Sequence, residues 1–150
     1  MGQQQLILLV LATVIVGVAI VVGIRAFTEN DAKANADALM QDAVRMANDI
    51  QAWTKKAEPF GGAPAGEDWD DATFADIGYA ASSGTYTNLN GEFTLTSGVI
   101  TGQSFEDDGT TVRNEIQVEV CGTTDRNING VIVTLAGANT GTNAPTCVTG

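Results

Sequence analysis

The chain contains no histidine, and its 7 lysines and arginines face 18 aspartates and glutamates, which gives a formal net charge of −11. Histidine is the commonest general base and the commonest metal-ligating side chain, so its absence argues against both kinds of site. The excess of carboxylates repels nucleic-acid phosphates and anionic lipid headgroups. We therefore expect a protein that is not an enzyme, holds no cofactor or metal, and does not bind nucleic acid directly.

Motifs of enzymatic chemistry are equally absent, because the sequence has no phosphate-binding loop, nucleophile triad or metal-ligand spacing. Two acidic stretches remain. FEDDG (105–109) offers carboxylates to calcium, but it fits no complete calcium loop and is better explained as a hairpin turn. GEDWDD (66–71) is better explained as a solvated loop anchored by Trp69 than as a partner site.

Proline is absent before Pro59, and charge is absent from residues 6–24, LILLVLATVIVGVAIVVGI. As a helix this run is about 28 Å long, which matches the hydrocarbon thickness of a bilayer. Nothing stops the helix at its end, because residues 25–56 are mostly compatible with helix. The sequence therefore predicts one helix from about Leu6 to Lys56, and residues 1–57 are assigned to it.

The second half of this helix, residues 25–57, is amphipathic. Apolar residues recur there at three- and four-residue steps, chiefly Leu39, Ala43, Ile50 and Trp53. This spacing predicts one face packed on the rest of the domain, and Phe27 is also interpreted as a packing residue. A helix of about 75 Å far exceeds the size of the remaining chain, whose radius of gyration is about 13 Å. The apolar first half must therefore project from the body.

The projecting half is apolar on all sides, so it needs either lipid or other copies of itself. Each Val, Ile or Leu left in water costs roughly 2 kcal/mol. The pairs Thr13/Gly17 and Ala19/Gly23 are small residues four positions apart, a spacing that lets helix backbones approach closely. We expect these four residues to mark the places where one helix packs against another.

Beyond the helix, residues 58–84 are predicted to form a connecting loop and residues 85–150 a β-rich body. The dipeptides Asn90-Gly91 and Asp108-Gly109 are hairpin signals. The strand-like runs are TYTNL (85–89), EFTLT (92–96), GVITGQSF (98–105), TTVRNEIQVEV (110–120) and GVIVTLA (130–136). We expect an α+β fold in which the amphipathic half of the helix packs on an antiparallel sheet of about four strands.

The two cysteines, Cys121 and Cys147, follow a membrane-targeting segment that would deliver this part of the chain outside the cytoplasm, where a disulfide is the default. Such a bridge stabilises the fold by roughly 3.5 kcal/mol in the chain-entropy model. Two unrelated buried thiols are the alternative. The segment 123–150 is rich in Thr, Asn and Gly and is expected to form a surface loop tied by the bridge.

An apolar N-terminal helix continues without a break into an amphipathic half, and a loop, an antiparallel sheet and a late cysteine pair follow. In this order the chain resembles the type IV pilin family. The resemblance covers the whole chain in architecture but is specific in sequence only at residues 6–24, which look like the helix that holds pilins in the inner membrane and then packs into the filament core. It implies that residues 59–83 and 121–147 form the variable outer surface.

The front of the chain departs from the pilin pattern. Pilins usually have a processed N-terminus followed closely by a glutamate that pairs with a neighbouring subunit's terminal amine. With Met1 as the first residue, Gln5 holds that place and is followed by Leu6, as the family pattern requires, whereas a cut after Gly2 would remove an unusually short leader. Gln5 forms hydrogen bonds but no ion pair, so we expect glutamine amides to replace charge in a dry filament core.

The resemblance implies a structural subunit of an extracellular filament that self-assembles through residues 6–24. Its partners would be copies of itself, the membrane before assembly, and an assembly machinery, and the inner membrane would be its location before assembly. The alternative is a monomeric membrane-anchored or secreted protein whose β domain binds a ligand. Arg25 follows the apolar run while no cation precedes it, which speaks against an N-terminus-inside orientation.

Overall fold

One uninterrupted α-helix, α1 (Gly2–Lys55), makes up more than a third of the computed structural model, which describes residues 2–122, 127–142 and 145–147. The single long helix predicted from the sequence is confirmed, and Met1 lies outside the described residues. A short 3-10 turn at Glu58–Phe60 follows the helix, with Pro59 near its start. Proline has no backbone N–H to donate, so the α-helix ends before it.

In the part of the chain that the structure describes, six strands follow the connecting loop, and each pairs antiparallel with the next in chain order. The strands are β1 (Thr85–Thr87), β2 (Glu92–Thr96), β3 (Val99–Phe105), β4 (Val112–Val120), β5 (Ile128–Leu135) and β6 (Ala138–Asn139). The α+β fold is confirmed, whereas the expected count of about four strands is wrong. β1 lies within the strand-like run 85–89, whereas β6 has two residues, too few for the alternation that identifies a strand in a sequence.

The surface loop expected over residues 123–150 is a second correction, because β5 covers most of the predicted strand-like run 130–136 and β6 follows it in the same segment. β5 and β6 both lie within it, and Ile128 and Ile132 pack against the core. The Thr, Asn and Gly content of the segment suggested a loop, but β5 pairs along β4, with a β-bulge between Glu115 and Ile116 that shifts the register. Residues 123–126, 143–144 and 148–150 of the predicted loop lie outside the described residues.

The core lies between the second half of α1 and one face of the sheet. Leu39, Ala43 and Ile50 are fully buried, and Trp53 is 6% exposed. They belong to the same cluster as Phe93, Ile100, Ile116, Val118 and Val120 from the sheet, and Ala72 and Phe74 from the connecting loop. Trp69 of the acidic stretch is half-buried against this cluster. The four helix residues chosen for helix–sheet packing thus all lie in the core.

Candidate assembly surface

The first half of α1 is an apolar helix with no partner in the described chain. Its large apolar residues from Leu6 to Ile24 have exposed fractions of 51–66%. The most apolar 18-residue window has a mean hydropathy of 3.2, and none of it is buried. By length and composition the helix could cross a membrane. A surface this apolar must be covered by something outside the chain.

Small residues make a shallow apolar hollow on this surface. Thr13 and Gly17 line it together with Ala12, Val16 and Ile20, and its volume is about 420 Å³. The Thr13 hydroxyl donates a hydrogen bond to the Val10 carbonyl oxygen at 2.8 Å, so the threonine adds no unpaired donor to the apolar surface. A Cβ atom at Gly17 would meet no other atom within 4 Å. The hollow is therefore open to a second helix.

The two small-residue pairs lie on different faces of the helix. Residues advance by about 100° each, so the face of Ala19 and Gly23 is rotated by about 120° from that of Thr13 and Gly17. A Cβ atom at Gly23 would also meet open space. A helix dimer needs one close-packing face, whereas two faces allow each helix to contact at least two neighbours.

Other residues named from the sequence also lie on this exposed part. Gln5 is exposed, and Leu6 is 66% exposed. Phe27 is 78% exposed, so the expectation that it packs within the chain is wrong. Its position explains this, because the first helix residue bonded to the sheet among the described residues is Thr28, whose carbonyl oxygen accepts a bond from Arg113 at 3.5 Å.

A polar junction fixes the helix to the sheet just beyond Phe27. Arg113 forms an ion pair with Asp31 at 2.7 Å. The fully buried Asn114 amide donates to the Ala32 carbonyl oxygen at 3.0 Å and to the Asn35 side-chain oxygen at 2.8 Å. Its own side-chain oxygen accepts a bond from the backbone N–H of residue 136 at 3.0 Å. Asn114 thus links α1, β4 and the end of β5.

Replacing Asn114 with alanine is expected to lower the free energy of unfolding by about 2–3 kcal/mol, because it leaves buried polar partners without hydrogen bonds. The measurement is urea-induced unfolding followed by circular dichroism. Asn48→Ala is the matched control, since Asn48 is exposed on the same domain, and a change within about 0.5 kcal/mol is expected. Equal effects of the two substitutions would contradict the assigned role of Asn114.

A second polar contact attaches the β1–β2 loop to the helix. The Asp42 carboxylate accepts hydrogen bonds from the Asn88 and Asn90 amides at 2.9 and 2.7 Å. The Asn35 amide donates to the Asn90 carbonyl oxygen at 3.1 Å. Gly91 lies against the Gln103 carbonyl oxygen and a Leu39 methyl group, where a Cβ atom would clash. The Asn90-Gly91 signal therefore predicts a turn correctly but not this contact.

At the other end of the sheet, Cys121 and Cys147 form the expected disulfide. The buried Gln51 amide donates to the Gly122 carbonyl oxygen at 2.8 Å, which connects the bridge region to α1. Glu119 lies close to both sulfur atoms. Because the sulfurs are bonded to each other, this group does not offer the thiolates that a metal ion would require. The disulfide fits a protein located outside the cytoplasm.

The acidic turn 105–109 is held by hydrogen bonds of its own. The Asp108 carboxylate accepts bonds from the backbone N–H groups of Thr110 and Thr111 at 2.8 and 2.7 Å, and from the Thr111 hydroxyl at 2.5 Å. These bonds, the Thr111 hydroxyl bond above all, lower the pKa of Asp108 to about 2. Gly109 has a φ of +68°, which suits glycine in a hairpin turn. The stretch is a hairpin connection, as interpreted from the sequence.

Tyr79 anchors the connecting loop to the helix. Its hydroxyl donates to the Asp49 carboxylate at 2.8 Å, and its ring lies 5.0 Å from that of Tyr86 in an edge-on arrangement. Burial, followed by the hydrogen bond and charge of Asp49, raises the pKa of Tyr79 from 10.0 to about 12. The hydroxyl is therefore harder to ionise in the folded chain than in the unfolded chain.

The pKa of Tyr79 can be measured directly, because the chain has only two tyrosines. In Tyr86→Phe, ultraviolet titration reports Tyr79 alone and is expected to give a pKa near 12, while adding Asp49→Asn is expected to lower it. The folded state binds more protons between pH 10 and 12, so the free energy of unfolding should fall as pH rises through this range. Tyr79→Phe should remove this part of the pH dependence. A pKa of 10 in Tyr86→Phe would contradict the contact with Asp49.

Comparison of the chain with protein-family models, with curated proteins and with solved structures finds no match.

Proposed function

We propose that the chain is a structural subunit of an extracellular helical filament, similar to a type IV pilus, which assembles through residues 6–24. One observation carries the proposal: an apolar helix, exposed on all sides, extends from a body whose core is complete without it. In the proposed mechanism the helix first lies in a membrane and then packs among identical helices. The bodies coat the outside of the filament.

Packing and not hydrophobicity drives this transfer, since lipid is already as apolar as the helix. Association of helices out of lipid depends on close van der Waals contact, which small residues permit. Thr13 and Gly17 supply one such face and Ala19 and Gly23 another. Two faces favour a polymer over a dimer. Energy for extraction from the membrane would come from an assembly machinery outside this chain, as in the family that it resembles.

The charge of the body also suits the outside of a fibre. The negative charges all lie beyond Ile24, at or after Glu29, and the net charge is −11. Like charges on neighbouring fibres repel, which keeps a polymer soluble. If the chain does not polymerise, the alternative is a monomeric membrane-anchored or secreted protein whose β domain binds a ligand.

The experiment is electron microscopy of material sheared from cells, together with intact-mass spectrometry of the same sample. Uniform thin fibres composed of this chain are the expected result, and the mass would show whether Met1 is retained. Sedimentation after detergent removal provides a second measurement, because a filament pellets and a monomer remains small. Material that stays in the membrane fraction, or a soluble monomer that lacks the apolar helix, would overturn the proposal in favour of the monomeric alternative.

A further inference from the structure

Arg25 is the first cation after the apolar segment, directly beyond Ile24. It is exposed, and residues 2–24 carry no charged side chain at all. The next cation along the helix is Lys33. Among the described residues the ion pair found is that of Arg113 with Asp31, so Arg25 has no ionic partner there. In a membrane, headgroup phosphates would solvate Arg25, but a filament offers none.

Carboxylates surround the place where the helix enters the body. We call Glu29, Asp31, Glu106, Asp107 and Asp108 the acidic rim. The last three lie beside the helix, because they line a hollow of about 360 Å³ together with Thr28, Phe105 and Arg113. Asp31 is paired with Arg113, and Asp108 is bonded within its turn. Glu29, Glu106 and Asp107 are exposed and are available to a cation.

We propose that, in the polymer, Arg25 of one copy docks against the acidic rim of a neighbouring copy and thereby fixes the axial offset between them. This inference rests on the proposed function. The occupant is a second copy, because each copy carries both halves of the contact, the exposed Arg25 and the acidic rim. The rest of the charge on two copies is of the same sign and repels. Without Arg25, each chain has six cations against 18 carboxylates, a net charge of −12, so contact between bodies needs a cation at the interface.

The offset follows from the helix geometry. Arg25 lies three to six residues before the stretch Thr28–Asp31, which corresponds to about 5–9 Å along the helix. If one copy is displaced along the helix axis by this distance, in the direction from the apolar segment to the body, its Arg25 lies level with the acidic rim of the neighbour. A copy displaced by the same distance in the opposite direction instead places Arg25 beside residues 19–22 of the neighbour, which carry no charge, and a buried unpaired charge is strongly unfavourable. Charge therefore selects one direction of offset.

Pairing within one chain is the competing arrangement. Arg25 and Glu29 are four residues apart, but this order, with the cation nearer the N-terminus, is the weaker one on a helix. The two side chains form no ion pair in the structure described for this part of the chain. The experiment must nevertheless separate contacts within a copy from contacts between copies, and charge reversal in mixed polymers does so.

The experiment uses the full chain, polymerised by detergent dilution, and measures the protein left in the supernatant after sedimentation. Arg25→Glu alone, and Glu106→Lys/Asp107→Lys alone, are each expected to raise that concentration about tenfold or more. An equimolar mixture of the two variants should return it to within about threefold of the unmodified chain, because the introduced glutamate of one variant then meets the introduced lysines of the other. Arg25, which the second variant retains, meets the unmodified carboxylates of the first. Pairing within a chain cannot be restored by mixing.

Two controls are matched to these variants. Arg25→Lys keeps the charge and should polymerise like the unmodified chain. Glu67→Lys/Asp68→Lys makes the same change in net charge at two exposed carboxylates of the connecting loop, and it should not impair assembly. Circular dichroism in detergent checks that every variant keeps its fold.

The outcomes separate the inference from the proposed function. Failure of the unmodified chain to polymerise would overturn the proposed function and the inference with it. If the unmodified chain polymerises and the charge-reversed variants do so equally well, the inference fails and the proposed function stands. Two impaired variants that the mixture does not restore would also overturn the inference. Restoration by mixing supports it.

Discussion

Gly17→Leu is expected to raise the concentration of unpolymerised protein about a hundredfold or more while leaving the folding of the body unchanged. In the proposed filament two helix backbones meet at the hollow beside Gly17. A leucine side chain would hold them apart, and the van der Waals contacts of that interface would be lost. A hundredfold change corresponds to about 2.8 kcal/mol per subunit. The body should not respond, because a Cβ atom at position 17 meets nothing within 4 Å in the single chain.

Val18→Phe is the control for added bulk. Val18 lies about 120° from each small-residue face, so a larger side chain there should affect assembly much less. Sedimentation after detergent dilution measures assembly, and urea unfolding in detergent measures the stability of the body. If Gly17→Leu polymerised at the same concentration as the unmodified chain, close packing at Gly17 would not hold the filament together.

Removal of the disulfide is expected to have the largest effect on the body itself. Cys121→Ser/Cys147→Ser should lower the free energy of unfolding by about 3.5 kcal/mol, because the bridge closes a loop of 26 residues and restricts the unfolded chain. The effect should appear as a lower urea midpoint. The same loss should occur when the unmodified chain is reduced with dithiothreitol.

Agreement between the reduced chain and the double variant is the internal control, since it assigns the loss to the bond and not to the new serine side chains. Gln51→Ala provides a further comparison, because it removes a hydrogen bond to the carbonyl oxygen of Gly122 but keeps the bridge. Its expected cost is about 1–3 kcal/mol. A double variant that unfolds at the same urea concentration as the oxidised chain would show that the bridge does not stabilise this body.

The helix and its packed face could be predicted because they depend on local patterns. Leu39, Ala43 and Ile50 repeat at helical spacing and are all fully buried. The disulfide followed from the number of cysteines and from the apolar segment before them. The strand count could not be predicted, since β6 has two residues, which pair with Thr134 and Leu135 of β5.

The polar junction between α1 and the sheet also could not be predicted from the sequence. Asn114 looks like any polar residue of a strand, and only the pairing of β4 beneath α1 places its amide against residues that lie 79 and 82 positions away in the chain. Asp42 is a similar case. The helical pattern leaves it outside the apolar face of α1, but the loop between β1 and β2 folds back and donates hydrogen bonds to its carboxylate. Contacts between residues this far apart in the chain leave no local pattern. Phe27 is the opposite case, because its apolar side chain predicted a partner that the single chain does not supply.

The continuity of α1 from Gly2 to Lys55 has a consequence for the rotational phase of the body. No hinge separates the apolar segment from the sheet, so the helix sets the azimuth of each body relative to the close-packing faces below it. One alanine inserted between Arg25 and Thr28 would turn the body by about 100° and lift it by about 1.5 Å. Eleven inserted residues would return it to within about 20° of its original azimuth, about 16 Å farther along the helix axis. Insertions of different lengths would therefore separate the angular from the axial requirements of assembly in the proposed filament.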